Sequence, residues 1–194
     1  MNKQLIRKHS FRYYGNRVIE GNLYDTEHGV VFEMPRKKQQ VRKDTGILKE
    51  FTPTNGDDVY QKLKDNHHPN VMKLFDFTDK HLYVEFVDGF MLYHTYEWEP
   101  KELYRGYDGV EFWFPTRPYV EGMDQAITDG LAHLHSIGVY HGDFKSNNIM
   151  VDKNGQLKII DFHASIALGP DYVDYTKDIS NLKKTLKGLE KYKK

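Results

Sequence analysis

Four side chains with complementary chemistry lie close together in the second half of the chain. Asp143, Lys145 and Asn148 fall in His141-Gly142-Asp143-Phe144-Lys145-Ser146-Asn147-Asn148-Ile149-Met150, and Asp161 falls in Lys158-Ile159-Ile160-Asp161-Phe162-His163. Phosphoryl transfer asks for little covalent chemistry from a protein. It asks for positioning and for positive charge at the phosphates. One carboxylate must orient an acceptor hydroxyl, and an oxygen ligand with a second carboxylate must hold Mg²⁺, a cation that prefers hard oxygen donors. Asp143 and Asn148 share one short loop, Asp161 ends the hairpin beside it, and Lys145 is two residues from Asp143, where its charge can neutralise the moving group. Asp and Asn also favour plain turns, so the spacing and the strand–turn–strand setting carry this reading.

The elements that must position these residues change character along the chain. The first half reads as strands with one helix. Residues 17–24 carry Val18, Ile19 and Leu23, residues 25–29 signal a turn, and residues 30–34 form a second strand. Asp44-Thr45-Gly46 turns the chain into a third strand over residues 47–51. Thr54 or Asn55 caps a helix over residues 57–66, in which Val59 and Leu63 recur at helical spacing. Residues 71–77 and 81–86 read as a hairpin. In the second half, Val120, Met123, Ile127, Leu131 and Leu134 form one stripe of an amphipathic helix over residues 119–136. Strands follow at 149–151 and 157–160 around the Lys153-Asn154-Gly155 turn. A last helix over residues 176–192 places Ile179, Leu182, Leu186 and Leu189 on one side. The aromatic-rich stretch 90–119 contains two short segments, 102–105 and 110–114, that flank Gly106-Tyr107-Asp108-Gly109 and predict a hairpin insertion.

Composition excludes several function classes. Lys+Arg and Asp+Glu balance at 28 each, so there is no global field to attract nucleic acid or an anionic membrane. Cysteine is absent, which rules out disulfides and thiolate zinc sites. No run approaches the ~18 apolar residues of a membrane span, and the first residues lack the apolar core of a secretory signal. The ten histidines are scattered over separate segments and do not read as a zinc site. These features predict a soluble, cytoplasmic setting, the interior of a host cell included.

The stretch from His141 to Asn148 resembles the protein-kinase catalytic loop, H-R-D-L-K-x-x-N, and Asp161-Phe162-His163 resembles the D-F-G that follows it. His141, Asp143, Lys145 and Asn148 match at the family spacing. Other segments agree in order: residues 130–140 look like the helix that leads into the loop, His68-Pro69-Asn70-Val71 looks like H-P-N-I/V, and residues 82–89 look like the hinge. The resemblance implies ATP and Mg²⁺ as cofactors. It gives Asp143 and Lys145 to catalysis and Asn148 and Asp161 to the metal. It puts Val84 at the gatekeeper position, the Glu85 carbonyl and Val87 backbone at adenine, and Val31 and Met150 at the nucleotide. Lys49, in Gly46-Ile47-Leu48-Lys49-Glu50-Phe51, resembles the phosphate-binding lysine of V-A-I-K, with Lys43 as its rival. Asp58 stands near the place of the partner glutamate, with Asp57 as a substitute. The chain departs from the family in three further places. Only Gly29-Val30-Val31 matches the glycine-rich loop, Gly142 replaces the usual arginine, and His163 replaces the glycine of D-F-G.

The fold expected is α+β, a two-lobed protein-kinase-like fold with a truncated C-lobe. Residues 1–88 form the N-lobe and residues 89–194 the reduced C-lobe, because only seventeen positions separate Asp161 from Asp178 and no A-P-E appears between them. The function implied is Mg·ATP-dependent phosphorylation of a Ser or Thr hydroxyl in a protein substrate, helped by a docking or activating partner. The alternatives are a small-molecule hydroxyl kinase of the aminoglycoside or choline kinase type and a nucleotide-binding pseudokinase acting as an interaction module.

Overall fold

The computed structural model describes residues 2–13, 17–36, 56–92, 104–105, 111–112, 120–152, 154–168, 174–190 and 193. Its N-terminal part is a five-stranded antiparallel sheet in the order β1-β2-β3-β5-β4, made of β1 (Lys3–Tyr13), β2 (Arg17–Thr26), β3 (Gly29–Pro35), β4 (Leu74–Phe77) and β5 (His81–Glu85). Successive side chains along a strand point to opposite faces, and the register turns that rule into two chemically distinct surfaces. Phe32 lies opposite both Leu23 and Val84. These three join Leu74 and Leu82 in the core against Val59, Tyr60 and Leu63 of helix α1 (Asp57–Asp65).

The other face is polar at its centre. Glu33 is buried there and accepts hydrogen bonds from Asn22 Nδ2 (2.9 Å), Tyr24 Oη (2.8 Å) and Tyr83 Oη (2.7 Å), with Lys3 Nζ 3.6 Å away. Burial by itself would raise the Glu33 pKa. The three hydrogen bonds and the Lys3 charge outweigh burial and hold it at about 2, while burial and the bond to Glu33 push Tyr83 up to about 12. The cluster ties three neighbouring strands, β2, β3 and β5, to one carboxylate.

Two expectations change here. The sheet gains a strand, β1, that precedes the first one read from the sequence. Its pattern is polar, and a register shift between Leu5 and Arg7 breaks the alternation that would have revealed it. The glycine match at Gly29-Val30-Val31 consequently sits on the turn between β2 and β3, where Thr26 Oγ1 donates to the Gly29 carbonyl (2.8 Å), and not between the first two strands. The strand expected at 47–51 and the caps at Thr54 and Asn55 lie outside the described residues. Helix α1 has Gly56 as its N-cap, without a side-chain cap, and carries Asp57 and Asp58 in its first turn.

The C-terminal part is built on α2 (Met123–Ser136). Its Met123, Ile127, Gly130, Leu131 and Leu134 are buried at helical spacing. Val120 precedes the helix and is exposed, so the stripe begins one residue set later than the sequence suggested. The hairpin of β10 (Ile149–Asp152) and β11 (Leu157–Ile159) packs on α2, and β6 (Gly89–Met91) adds to β10 as a third strand. Strand β9 (Val139–Tyr140) pairs with β12 (Ile166–Ala167), and α3 (Thr176–Glu190) closes the chain. The short pair β7 (Tyr104–Arg105) and β8 (Glu111–Phe112) forms the predicted insertion hairpin. The two parts are joined through β11. Ile159 N donates to the Asn70 carbonyl (2.8 Å) and the Ile159 carbonyl accepts from Met72 N (2.9 Å), so the His68-Pro69-Asn70 turn rests on the strand that leads to Asp161. No helix among the described residues is long and apolar enough to cross a membrane.

Because Glu33 has its pKa lowered from 4.5 to about 2 in the folded state, its contribution is complete above pH 4.5 and is lost as pH falls toward 2. At 1.36 kcal/mol per unit, that loss is on the order of 3 kcal/mol. Urea midpoints measured between pH 5 and pH 2, on the order of the titration window, should fall steeply for the parent and much less for Glu33→Gln. Parallel pH profiles for the two proteins would contradict this assignment.

Candidate active site

Helix α3 supplies the group on which the site is built. Asp178, in its first turn, has no solvent exposure. Its Oδ2 accepts from His141 N (2.8 Å) and His135 Nε2 (3.1 Å), and its Oδ1 accepts from Gly142 N (3.2 Å). Ser165 Oγ donates to the His141 carbonyl (2.9 Å). The backbone at the start of the loop is thereby satisfied on both sides, by residues more than twenty positions away. His135 is itself fixed by Tyr175, whose ring stacks on it at 3.9 Å and whose hydroxyl donates to its carbonyl.

His141 is fully buried, and burial pushes its pKa below the usual histidine value against the pull of Asp178. Its two nitrogens define a neutral tautomer. Nε2–H donates to the Ile160 carbonyl (3.1 Å) and Nδ1 accepts from Asp143 N (3.4 Å). Ile160 N in turn donates to the Asn148 carbonyl (2.9 Å). The loop carrying Asp143 and the strand end carrying Asp161 are therefore stitched together twice.

Within the loop, Asp143 is 8% exposed. Lys145 Nζ lies 2.7 Å from Asp143 Oδ2, and Asn148 Nδ2 donates to the Asp143 carbonyl (2.7 Å) and to Oδ2 (3.2 Å). With its amide nitrogen turned to Asp143, Asn148 has its amide oxygen as the remaining ligand atom. Asp161 has φ 66° and ψ 72°, the left-handed region, and its Oδ1 is bonded to His163 Nδ1. One carboxylate and one amide oxygen are hard oxygen donors of the kind that Mg²⁺ takes together with phosphate oxygens and water. His163 sits within the 3₁₀ turn Phe162–Ala164.

Gly142 owes its place to this packing. It has φ 77°, and a Cβ at this position would stand 2.3 Å from the Ala164 carbonyl oxygen. An arginine there would be strained and would push the Phe162–Ala164 turn away.

Val87, Met150 and Ile160 form one small buried cluster with Met72 against it, which joins the segment after β5 to the residue before Asp161. Val84 is 2% exposed and faces Phe32 across the sheet. The Glu85 side chain accepts from Lys73 N (2.8 Å) and pairs with Lys158 (3.0 Å), which fixes the hinge strand to β11. Three expected sites are placed differently or fall outside. Val31 is buried but shares the face of Glu33, because alternation gives the core face to Phe32. Asp58 is exposed, and it is Asp57 that makes an ion pair, with Arg36 (2.5 Å). Arg36 Nη1 also donates to the Thr78 carbonyl (3.0 Å), and its guanidinium lies 4.8 Å from the Tyr60 ring centroid. Lys49 and Lys43 lie outside the described residues, and β3 itself carries no lysine.

Sequence reading missed Asp178, His135 and Ser165. The only available signal was that a carboxylate falls on the buried face of the last helix. That face runs through Asp178, Leu182 and Leu189, whereas Ile179, assigned to it by periodicity, is 42% exposed.

Replacing Gly142 by alanine should cost about 2 kcal/mol or more, since it adds left-handed strain to a backbone clash. Urea unfolding measures it, and a midpoint unchanged within error would mean that the loop does not rest on Ala164 as described.

Comparisons with known proteins agree with this geometry. The family model for the protein kinase domain matches residues 18–183. The chain is 41% identical over 58 residues to mitogen-activated protein kinase kinase 10 of Arabidopsis thaliana, covering 29% of this chain and 19% of that protein. It is 34% identical over 101 residues to serine/threonine-protein kinase ppk8 of Schizosaccharomyces pombe (49% and 16%). It is 31% identical over 103 residues to serine/threonine-protein kinase ste20 of Emericella nidulans (52% and 11%). The matched stretches span less than a fifth of each of these relatives. With most of its length matched by one family model and the loop, hinge and metal turn in family order, this chain belongs to the protein kinase family, as an α+β domain with a sheet-rich N-terminal part and a truncated C-lobe.

Proposed function

We propose that the protein transfers the terminal phosphoryl group of Mg·ATP to a Ser or Thr hydroxyl of a protein substrate. The observation that carries this reading is the bracketing of Asp143 by Lys145 and Asn148 on a loop bonded to the strand of Asp161. Asp143 orients the acceptor hydroxyl and takes its proton as the new P–O bond forms and the bond to the leaving phosphate oxygen breaks. Lys145 places positive charge beside that carboxylate, where charge develops on the transferred group. Asn148 and Asp161 would hold the Mg²⁺, which supplies charge neutralisation on the phosphate oxygens. The nucleotide lies between residues 1–88 and 89–194, with Glu85, Val87 and Met150 on its hinge side. Substrate docking falls to the 90–119 insertion or to a partner protein.

Incubation with radiolabelled ATP and Mg²⁺, with generic protein substrates and with small hydroxyl compounds, separates the readings. The leading one predicts labelled protein. A soluble labelled product would mean a small-molecule kinase, and nucleotide binding without turnover would mean the interaction module. Under the leading reading, Asp143→Asn lowers transfer by about 10²-fold or more, the range of a positioned acid–base group, and leaves ATP affinity within a few-fold. Equal turnover by mutant and parent would remove Asp143 from its role.

A further inference from the structure

Asp161 is the non-glycine residue among the described residues whose backbone has positive φ. L-residues are rarely stable there, so a carboxylate meant to meet a cation from that conformation needs something to keep it in place. The neighbouring turn provides it. Residues Phe162–Ala164 form a 3₁₀ turn closed by Ser165 N donating to the Phe162 carbonyl (3.1 Å). Its ends are held by the burial of Phe162 and Ala164 and by the Ser165 hydroxyl on the His141 carbonyl. The backbone of His163 is thus fixed from both sides. Its side chain is 17% exposed and that of Asp161 12% exposed, and Nδ1 meets Asp161 Oδ1.

We propose that His163 is a positioning residue for the cation site: its Nδ1–H donates to Asp161 Oδ1 and locks the carboxylate in the orientation from which it binds the metal. This rests on the reading of Asp161 as a metal ligand. Ligating carboxylates gain from such outer hydrogen bonds because the bond removes side-chain freedom before the metal arrives. The protein-kinase pattern that the loop resembles has glycine at this position, with no side chain to make the bond. In this chain the histidine restricts the backbone and supplies the donor in the same residue.

The test measures ADP binding by calorimetry across a Mg²⁺ titration, without any turnover, for the parent and three variants. His163→Asn retains an amide donor close to the Nδ1 position. His163→Phe retains the ring volume without a donor. Asp161→Asn controls for the metal reading, and thermal unfolding in chelator checks that each variant is folded. The Mg²⁺ needed for half of the affinity gain should rise about tenfold or more in His163→Phe, within the range for lost outer-shell partners. It should stay near the parent's value in His163→Asn, and Asp161→Asn should abolish the Mg²⁺ dependence. If His163→Phe matches or betters the parent while Asp161→Asn is impaired, the positioning role is wrong and the metal reading stands. If His163→Asn is as poor as His163→Phe, the donor is not what matters and the proposal fails. If Asp161→Asn keeps the parent's Mg²⁺ dependence, the metal reading fails and the proposal with it.

Discussion

A carboxylate with no access to water is expensive unless its hydrogen-bonding capacity is met. Asp178 meets it with two backbone N–H groups and one imidazole. Charge-assisted bonds of this kind are each worth about 1.5–3 kcal/mol, and here two of the three come from the two residues that precede Asp143. The loop cannot relax without stranding a buried charge, and the helix cannot move without stranding two buried amides. This mutual dependence sets the position of everything downstream. His141 carries it to Ile160, Ile160 carries it to Asn148, and Ser165 returns it to His141. The chain can thus hold the carboxylates of Asp143 and Asp161 in register. The N-terminal sheet is fixed to the same unit through Asn70, Met72 and Ile159.

Most of the site chemistry was legible because its residues are close in sequence. Asp143, Lys145, Asn148 and Asp161 announce themselves by type and interval; hydrogen bonds join Asp143 to Lys145 and Asn148, and Asp161 follows Ile160, whose N–H is bonded to the Asn148 carbonyl. Their supports come from far along the chain, and single-sequence periodicity cannot see such pairings. Asp178 stands between Lys177 and Ile179 and reads as a solvated charge at the start of a helix, where an acid suits the helix dipole. Its burial rotates the helix and leaves Ile179 outside. Glu33 is a similar case. An acid in mid-strand reads as a solvent-facing residue until Tyr24 and Tyr83 arrive from the neighbouring strands.

The fold was legible where apolar alternation is clean, as in the β4–β5 hairpin, and where a stripe recurs at helical spacing, as in α2. It was not legible in β1. That strand sits at the edge of the sheet, with Leu5 and Ile6 both exposed beside a register shift, so neither face shows a period. Missing that strand left the turn at Gly29 counted as the first of the sheet, when it is the one between β2 and β3. Gly142 shows a different limit. As a letter it is only a missing arginine, whereas in three dimensions it is the residue that lets the catalytic loop rest on the carbonyl of Ala164.

The central claim is that one buried carboxylate on the last helix holds the catalytic loop in place. Amide hydrogen exchange on Asp178→Ala tests it most directly. The account predicts that protection at His141, Gly142 and Asn148 falls by about tenfold or more, the equivalent of 1.4 kcal/mol in local opening, while β5 and α1 keep the parent's rates. Unchanged protection through residues 141–148 in a folded Asp178→Ala protein would contradict it.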